Sequence, residues 1–360
     1  MTSKYKYIIA IVVVIIIVLL SIVMGQSAQE PPPLSQVQLQ QSTNSNQWIK
    51  ANAPAFTHPY GVVSDPAVLQ DGKTLRMFYT CLNPHIDRTA ICQNTSTDDG
   101  KTWKTVATAK SAEDPAGLVV KGGTGLWDEY LETAAIVKRD GTYYLFYSGY
   151  VKVKGVVAHK GKIGLAKSQD GITFVKVPQA VLLPTVDWYD NDAIYSPVVT
   201  VMPDNSFAML YVGHSYCDTC GSNQGVRILG ATSPDGIAWT KVTTPVLTGG
   251  TVSWTTDGVA EPDLATINGT FYLFITGLQG DARVIGIAKS NNVFGPYTVS
   301  ATPIIKPGPS AYDSSLVLAP TVLIEGDLAR VWYLAYSGDG SSGDGTYSIG
   351  YVQATVPFVE

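Results

Sequence analysis

The pattern of apolar and polar positions changes character twice along the chain. Residues 7–24 form an unbroken apolar run with no polar face, preceded by Lys4 and Lys6. Residues 26–46 are Pro-, Gln- and Ser-rich and show no apolar period. From there on, short apolar runs alternate with turn residues, which is the pattern of strands and hairpins. One motif recurs five times: an extended run, a turn with Gly or Asn, then an aromatic-rich strand. The copies are SDPAVLQDGKTLRMFYT (64–80), LETAAIVKRDGTYYLFYSG (131–149), YSPVVTVMPDNSFAMLYVG (195–213), AEPDLATINGTFYLFITG (260–277) and LAPTVLIEGDLARVWYLAYSG (318–338). Their anchor positions, Pro66, Thr133, Pro197, Pro262 and Pro320, are 67, 64, 65 and 58 residues apart.

A second hairpin follows each of the first four copies, at residues 90–106, 162–177, 227–242 and 284–299. Four strands per repeat at this spacing predict an all-β, five-bladed β-propeller of four-stranded antiparallel blades. The fifth repeat lacks an outer strand of its own. Residues 47–54 (QWIKANAP) are similar to the outer-strand segment 238–245 (AWTKVTTP), so the N-terminal segment is predicted to complete the last blade. The alternative is that residues 355–359 do so. The S-x-D-G-x-x-W turns, clearest at residues 96–103, bond their own amides and are structural.

The predicted organisation is a signal peptide or membrane anchor helix at residues 1–25, a tether at 26–46 and the propeller at 47–360. The apolar run is long enough to span a bilayer and longer than most signal peptides. Either reading exports the domain to the cell surface or beyond, with the membrane touched by that segment only. Four cysteines then favour disulfides: Cys81 with Cys92 across a hairpin, and Cys217 with Cys220 within a loop.

Composition narrows the function. Only 15% of residues are charged and the net charge is −5, so nothing is set up to meet nucleic acid. Glu is scarce, with seven in the chain. The residues preceding the anchors begin the innermost strands and point to a common funnel: Asp65, Glu132, Ser196, Glu261 and Ala319. Three carboxylates at such positions raise at least one pKa, which is what hydrolysis of a glycoside needs. Loops entering these strands add stacking and hydrogen-bonding groups. These are His58 and Tyr60, Trp127 and Asp128, Asp192 and Tyr195, His214, Trp254 and Asp257, and Asp313.

These repeats, the S-D-P of blade one, the E-P of blade four and the S-x-D-G-x-x-W turns resemble the five-bladed propeller glycoside hydrolases, with family 43 and its relatives the nearest group. The resemblance spans about residues 47–357. It implies a glycosidase acting on arabinan- or xylan-type carbohydrate, which the N-terminal segment would export; a monomer is expected. It also implies a base Asp on blade one, a pKa-tuning Asp on blade two and an acid Glu on blade three. Asp65 matches the first position, Glu132 takes the second as a Glu, and the third is Ser196, with Glu261 one blade later. The expectation is Asp65 as base, Glu261 as acid, and Glu132 as tuner or alternative acid. Retaining relatives would make Asp65 a nucleophile. No cofactor is expected. Some relatives carry calcium or another ion at the axis, for which His214 with nearby Asp residues is the candidate without any supporting ligand spacing. The alternative of another class is a non-catalytic carbohydrate-binding propeller. A sialidase-like enzyme needs clustered Arg, and Arg76, Arg227, Arg283 and Arg330 are expected on outer hairpin strands. A glycoside phosphorylase needs a basic phosphate site, and none is evident in the funnel loops.

Overall fold

The computed structural model describes residues 48–58, 61–83, 88–108, 114, 116–153, 156–157, 160–186, 188–215, 225–338 and 345–358. The expected anchor and tether, Tyr60, Cys217 and Cys220 lie outside them. Among the described residues no helix is long and apolar enough to cross a membrane.

Five antiparallel sheets follow one another as blades. Their inner strands are Val63–Asp71, Tyr130–Arg139, Ala193–Val201, Gly258–Ile267 and Leu316–Glu325. Each pairs with a second strand, then a third, then a two-residue outer strand. Alternation in these strands buries both faces, so each gap between blades fills with its own apolar cluster. Phe146 of blade two meets Phe207 and Met209 of blade three, and Met77 and Tyr79 of blade one meet Trp332 and Ile349 of blade five. Burying each such side chain stabilises by about 1.5–3 kcal/mol.

The ring closes as the sequence predicts. Ile49 and Lys50 pair with Gln353 and Val352, so the N-terminal segment is the outer strand of blade five. Lys50 Nζ then reaches the fully buried Asp313 at 2.6 Å and also donates to the carbonyls of Lys306 and Gly308. The Cys81–Cys92 disulfide forms across the hairpin of blade one.

The S-x-D-G turns lie at the ends of the third strands, away from the strand starts that meet the funnel. Gly100, Gly171 and Gly236 each donate their N–H to a Ser Oγ three or four residues back, at 2.8–2.9 Å. Trp239 packs against Phe146 and Phe207, so this aromatic sits between blades.

Every inner strand carries the same irregularity. Pairing skips between Ser64 and Ala67, and likewise between Glu132/Ala135, Tyr195/Val198, Ala260/Asp263 and Leu318/Thr321. Two residues oppose one at each bulge, and the first of the two has a left-handed backbone: Asp65, Thr133, Ser196, Glu261 and Ala319, with φ of 45–51°. The second is Pro in four blades, at a place where no ladder N–H is needed. In blade two it is Ala134. This corrects the sequence alignment by one residue: Thr133, not Glu132, is the counterpart of Asp65. Glu132 corresponds instead to Ser64, Tyr195, Ala260 and Leu318.

Closure by the N-terminal strand has a measurable consequence. Deleting residues 46–54 should lower the melting temperature of the whole ring in a single transition. Replacing Lys50 with Met, which strands a buried carboxylate, should alone cost about 3–5 kcal/mol. Circular dichroism melts of both variants check this, and unchanged midpoints would refute the closure role.

Candidate active site

The five left-handed residues and the five that follow them line one small cavity of about 30 Å³ at the ring axis. A non-Gly residue at positive φ costs roughly 1–2 kcal/mol. Because Ala319 adopts it as readily as Asp65, the strain belongs to the architecture. Chemistry enters through the side chains it presents, and these differ from blade to blade.

Asp65 Oδ2 accepts hydroxyls from Ser64 and Thr80, each at 2.9 Å. The N–H of Thr133, from the next blade, bonds Thr80 Oγ1 at 3.0 Å. Blade four repeats the arrangement. Thr276 Oγ1 donates to Glu261 Oε2 at 2.7 Å, and Ala319 N lies 2.9 Å from both atoms. In blade two Thr133 and Ser148 take the N–H of Ser196, at 3.2 and 3.0 Å. Asp65 with Thr80, Thr133 with Ser148, and Glu261 with Thr276 each thereby capture the neighbouring blade.

Glu132 stands beside this ring. It is buried, and Tyr150 donates its hydroxyl to Oε1 at 2.5 Å. Burial, then the charge of Asp65, push Glu132 up to about 7. The same two causes push Glu261 up to about 7. Asp65 is raised by burial and drawn back by its Ser64, Thr80 and Thr133 donors. The three carboxyls thus form one electrostatic cluster centred on Asp65. Between Asp65 and Glu261 in ring order comes Ala319, whose methyl leaves the gap open.

Blade three contributes a second group. His214 Nδ1 bonds Asp192 Oδ2 at 2.6 Å. Tyr195 is held well above the ordinary tyrosine value by burial and by the charges of Asp192 and Glu132, so it lies near both. Asp257 accepts the N–H of Gly280 at 2.6 Å, in the electrostatic neighbourhood of Arg283.

The remaining expected residues are placed elsewhere. Asp128 is buried and bonds Tyr147 Oη at 2.8 Å and Lys176 Nζ at 2.7 Å. Asp313 does the same with Tyr333 and Lys50, and Asp190 with Tyr211 and Lys241. These are struts from a loop through the second strand to the outer strand, so Asp128 and Asp313 do not meet the axis. Trp127 stacks on Tyr147 and donates to Pro178 O. Trp254 is buried and donates to Ser300 O. A Cβ on Gly277 or Gly286 would lie 2.2 Å from its ring, so these glycines make room for it. Both indoles pack within blades. His58 is buried against Phe56 and Tyr79, and burial lowers it to about 4. The Arg expectation holds for Arg227 and Arg283, which lie on third strands, but Arg76 and Arg330 lie on second strands. Arg76 and Arg330 pair with Asp71 and Glu325 at the far ends, but Arg227 and Arg283 begin third strands at the pocket end, and Arg283 interacts with Glu261.

Sequence reasoning missed Tyr150, Thr80 and Thr276. A hydroxyl residue near the end of the second strand recurs in blades one, two and four, and that was the available signal. Among the described residues no His, Cys, Asp and Glu group has the makings of a metal site.

With this geometry in hand, the comparisons are specific. Residues 132–302 match the model of the glycosyl hydrolases family 32 N-terminal domain. That match covers 171 of the chain's 360 residues. The match runs from blade two into the segment after blade four, so it includes Glu132 and Glu261 and leaves out Asp65. A thermostable family-43 glycoside hydrolase is similar with TM-score 0.61 and 18% identity, over 80% of this chain and 88% of that one. An endo-arabinase from Bacteroides thetaiotaomicron gives 0.61 and 14%, over 88% and 99%. A family 117 glycoside hydrolase from the marine bacterium Zobellia galactanivorans gives 0.62 and 13%, over 88% and 92%. At these identities the shared feature is the fold. No curated protein sequence matches the chain.

The raised carboxyls set a pH dependence of stability. Between the ordinary glutamate value of 4.5 and about 7, the folded protein binds the Glu132 proton more tightly than the unfolded chain does. That contribution is complete below 4.5 and is lost as pH rises through about 7. Glu132→Gln, which keeps the shape without the charge, should melt a few degrees above the parent at pH 8 and close to it at pH 4.5. Equal differences at both pH values would show that Glu132 is not held protonated by the fold.

Proposed function

We propose that this propeller is an exported glycosidase that cleaves arabinan- or xylan-type oligo- or polysaccharides at the axial pocket. The observation that carries the reading is one pocket holding Asp65 and Glu261 with Glu132 beside them. Hydrolysis needs one ionised carboxylate and one protonated carboxyl at the same bond. Asp65 has several donors that favour its ionised form, and burial together with the Asp65 charge keeps Glu261 and Glu132 protonated into the neutral range.

Glu261 lines the pocket and gives its proton to the glycosidic oxygen as the C–O bond breaks. Asp65 takes a proton from the water attacking the anomeric carbon or, in the retaining variant, attacks that carbon itself. Glu132 stands beside Asp65 as tuner or alternative acid, its own proton held by burial and by the Asp65 charge. Tyr195 and the Asp192–His214 pair offer hydroxyl-bonding groups to the sugar from blade three. The family-43 and arabinase likenesses support the pentose-polymer substrate class, and the apolar run at residues 7–24 supports export. The presence of Ser196 where the resemblance implies an acid favours a second reading, a propeller that binds such carbohydrate without cleaving it.

A panel of aryl glycosides and arabinan and xylan oligomers separates the two. Asp65→Asn should lower kcat/KM by about 10³-fold or more, because no other group replaces it. The rate should fall about tenfold per pH unit above about 7, as the acid loses its proton. Full activity in Asp65→Asn would end the assignment, and sugar binding with no turnover would establish the second reading. Proton NMR of the first anomer released distinguishes inversion from retention.

A further inference from the structure

Two hydroxyls on second strands share one geometry. Register places Thr80 opposite Ser64 and Thr276 opposite Ala260, one residue before each bulge. Each donates to a carboxylate oxygen on the ring, Asp65 Oδ2 or Glu261 Oε2, and each also accepts the N–H of the next blade's left-handed residue. Blade two has Ser148 at this place, opposite Glu132; it hydrogen-bonds Thr133 Oγ1 and accepts the N–H of Ser196. In blades three and five the same place holds Val212 and Leu334, opposite Tyr195 and Leu318, and the ring residues there are Ser196 and Ala319. The hydroxyl is present wherever the ring residue is a carboxylate.

We propose that Thr80 and Thr276 are positioning residues that fix one oxygen of each pocket carboxylate against the neighbouring blade and thereby select which oxygen meets the substrate. The inference rests on the glycosidase reading for its catalytic meaning, but the clamp itself is independent of turnover. A carboxylate free to rotate about its last torsion would present either oxygen, and its proton would sit on either. With Glu261 Oε2 occupied by two donors, Thr276 Oγ1 and Ala319 N, the proton is confined to Oε1. With Asp65 Oδ2 occupied by Ser64 and Thr80, Oδ1 is the atom that accepts the water proton or attacks carbon. Arg283 acts on Glu261 in the same direction as Thr276, and Lys152 acts on Glu132, so the variants must leave both in place.

The test is a carboxyl titration by NMR on full-length protein labelled with ¹³C at glutamate, with the Glu261 signal assigned by its loss in Glu261→Gln. Thr276→Val removes the donor at nearly constant volume and should raise the Glu261 midpoint by about one pH unit, the equivalent of one charge-assisted hydrogen bond. Thr276→Ser should restore it. In activity assays the basic limb of the rate profile should move by the same amount, with kcat affected more than KM. An unchanged Glu261 midpoint in folded Thr276→Val overturns the proposal. If Thr276→Val does not fold, the Asp65 midpoint in Thr80→Val against Thr80→Ser, with ¹³C-aspartate labelling, decides it by the same criterion. A parent protein that cleaves no substrate would remove the glycosidase reading and leave the titration result standing.

Discussion

Every blade depends on one backbone irregularity: a two-residue bulge whose first residue is left-handed and whose side chain turns to the axis. The bulge has two effects at once. It presents a side chain to the central cavity, and at Thr133, Ser196 and Ala319 it offers a backbone N–H that the preceding blade captures. Where the side chain is Asp65, Thr133 or Glu261, blade-to-blade contact and pocket chemistry use the same atoms. Holding the ring together and holding a carboxylate in place are therefore not separable tasks here.

This coupling explains why the acids tolerate burial. An unpartnered buried carboxylate is expensive, and each of these has donors supplied by the fold. Their pKa values remain high because the same enclosure strips water from three interacting acids. Asp65 is itself raised by burial and drawn back by its hydroxyl and amide donors, and its charge adds to burial in holding the other two up. Further down the same strand Asp263 follows the pattern: it accepts the N–H of Val322 at 2.6 Å and is raised by burial to about 6.

Much of the architecture was legible because its signals are local. Alternation, Asx-type turns and the recurring Pro define five hairpins, and the likeness of residues 47–54 to an outer strand revealed the closure. The one-residue error at blade two has a plain cause. Ala134 replaces the Pro that marks the bulge, and the neighbouring Glu132 made a false alignment attractive. Asp128 and Asp313 were misread for a different reason. An Asp after an aromatic, just before a strand, suits a sugar site as well as a strut, and the deciding partner is remote. Lys176 is 48 residues from Asp128, and Lys50 is 263 residues from Asp313. Read together, the recurring Tyr147, Tyr211 and Tyr333 and the outer-strand Lys residues would have exposed the strut pattern. The clamp hydroxyls left only a recurrence across blades as their signal, because their importance, like that of Tyr150, comes from register, which no single segment carries.

The stack of Trp48 on Phe358, with ring centroids 5.2 Å apart, places the two ends of the described chain side by side at the outer edge of blade five. A ring with adjoining ends has no topological need for its break to fall there. A short linker between these ends would allow the chain to be cut instead at any pocket-distal hairpin turn, giving a circular permutant with the same five blades. The order of blades along the gene is then a historical choice, and what the fold requires is only their order around the circle.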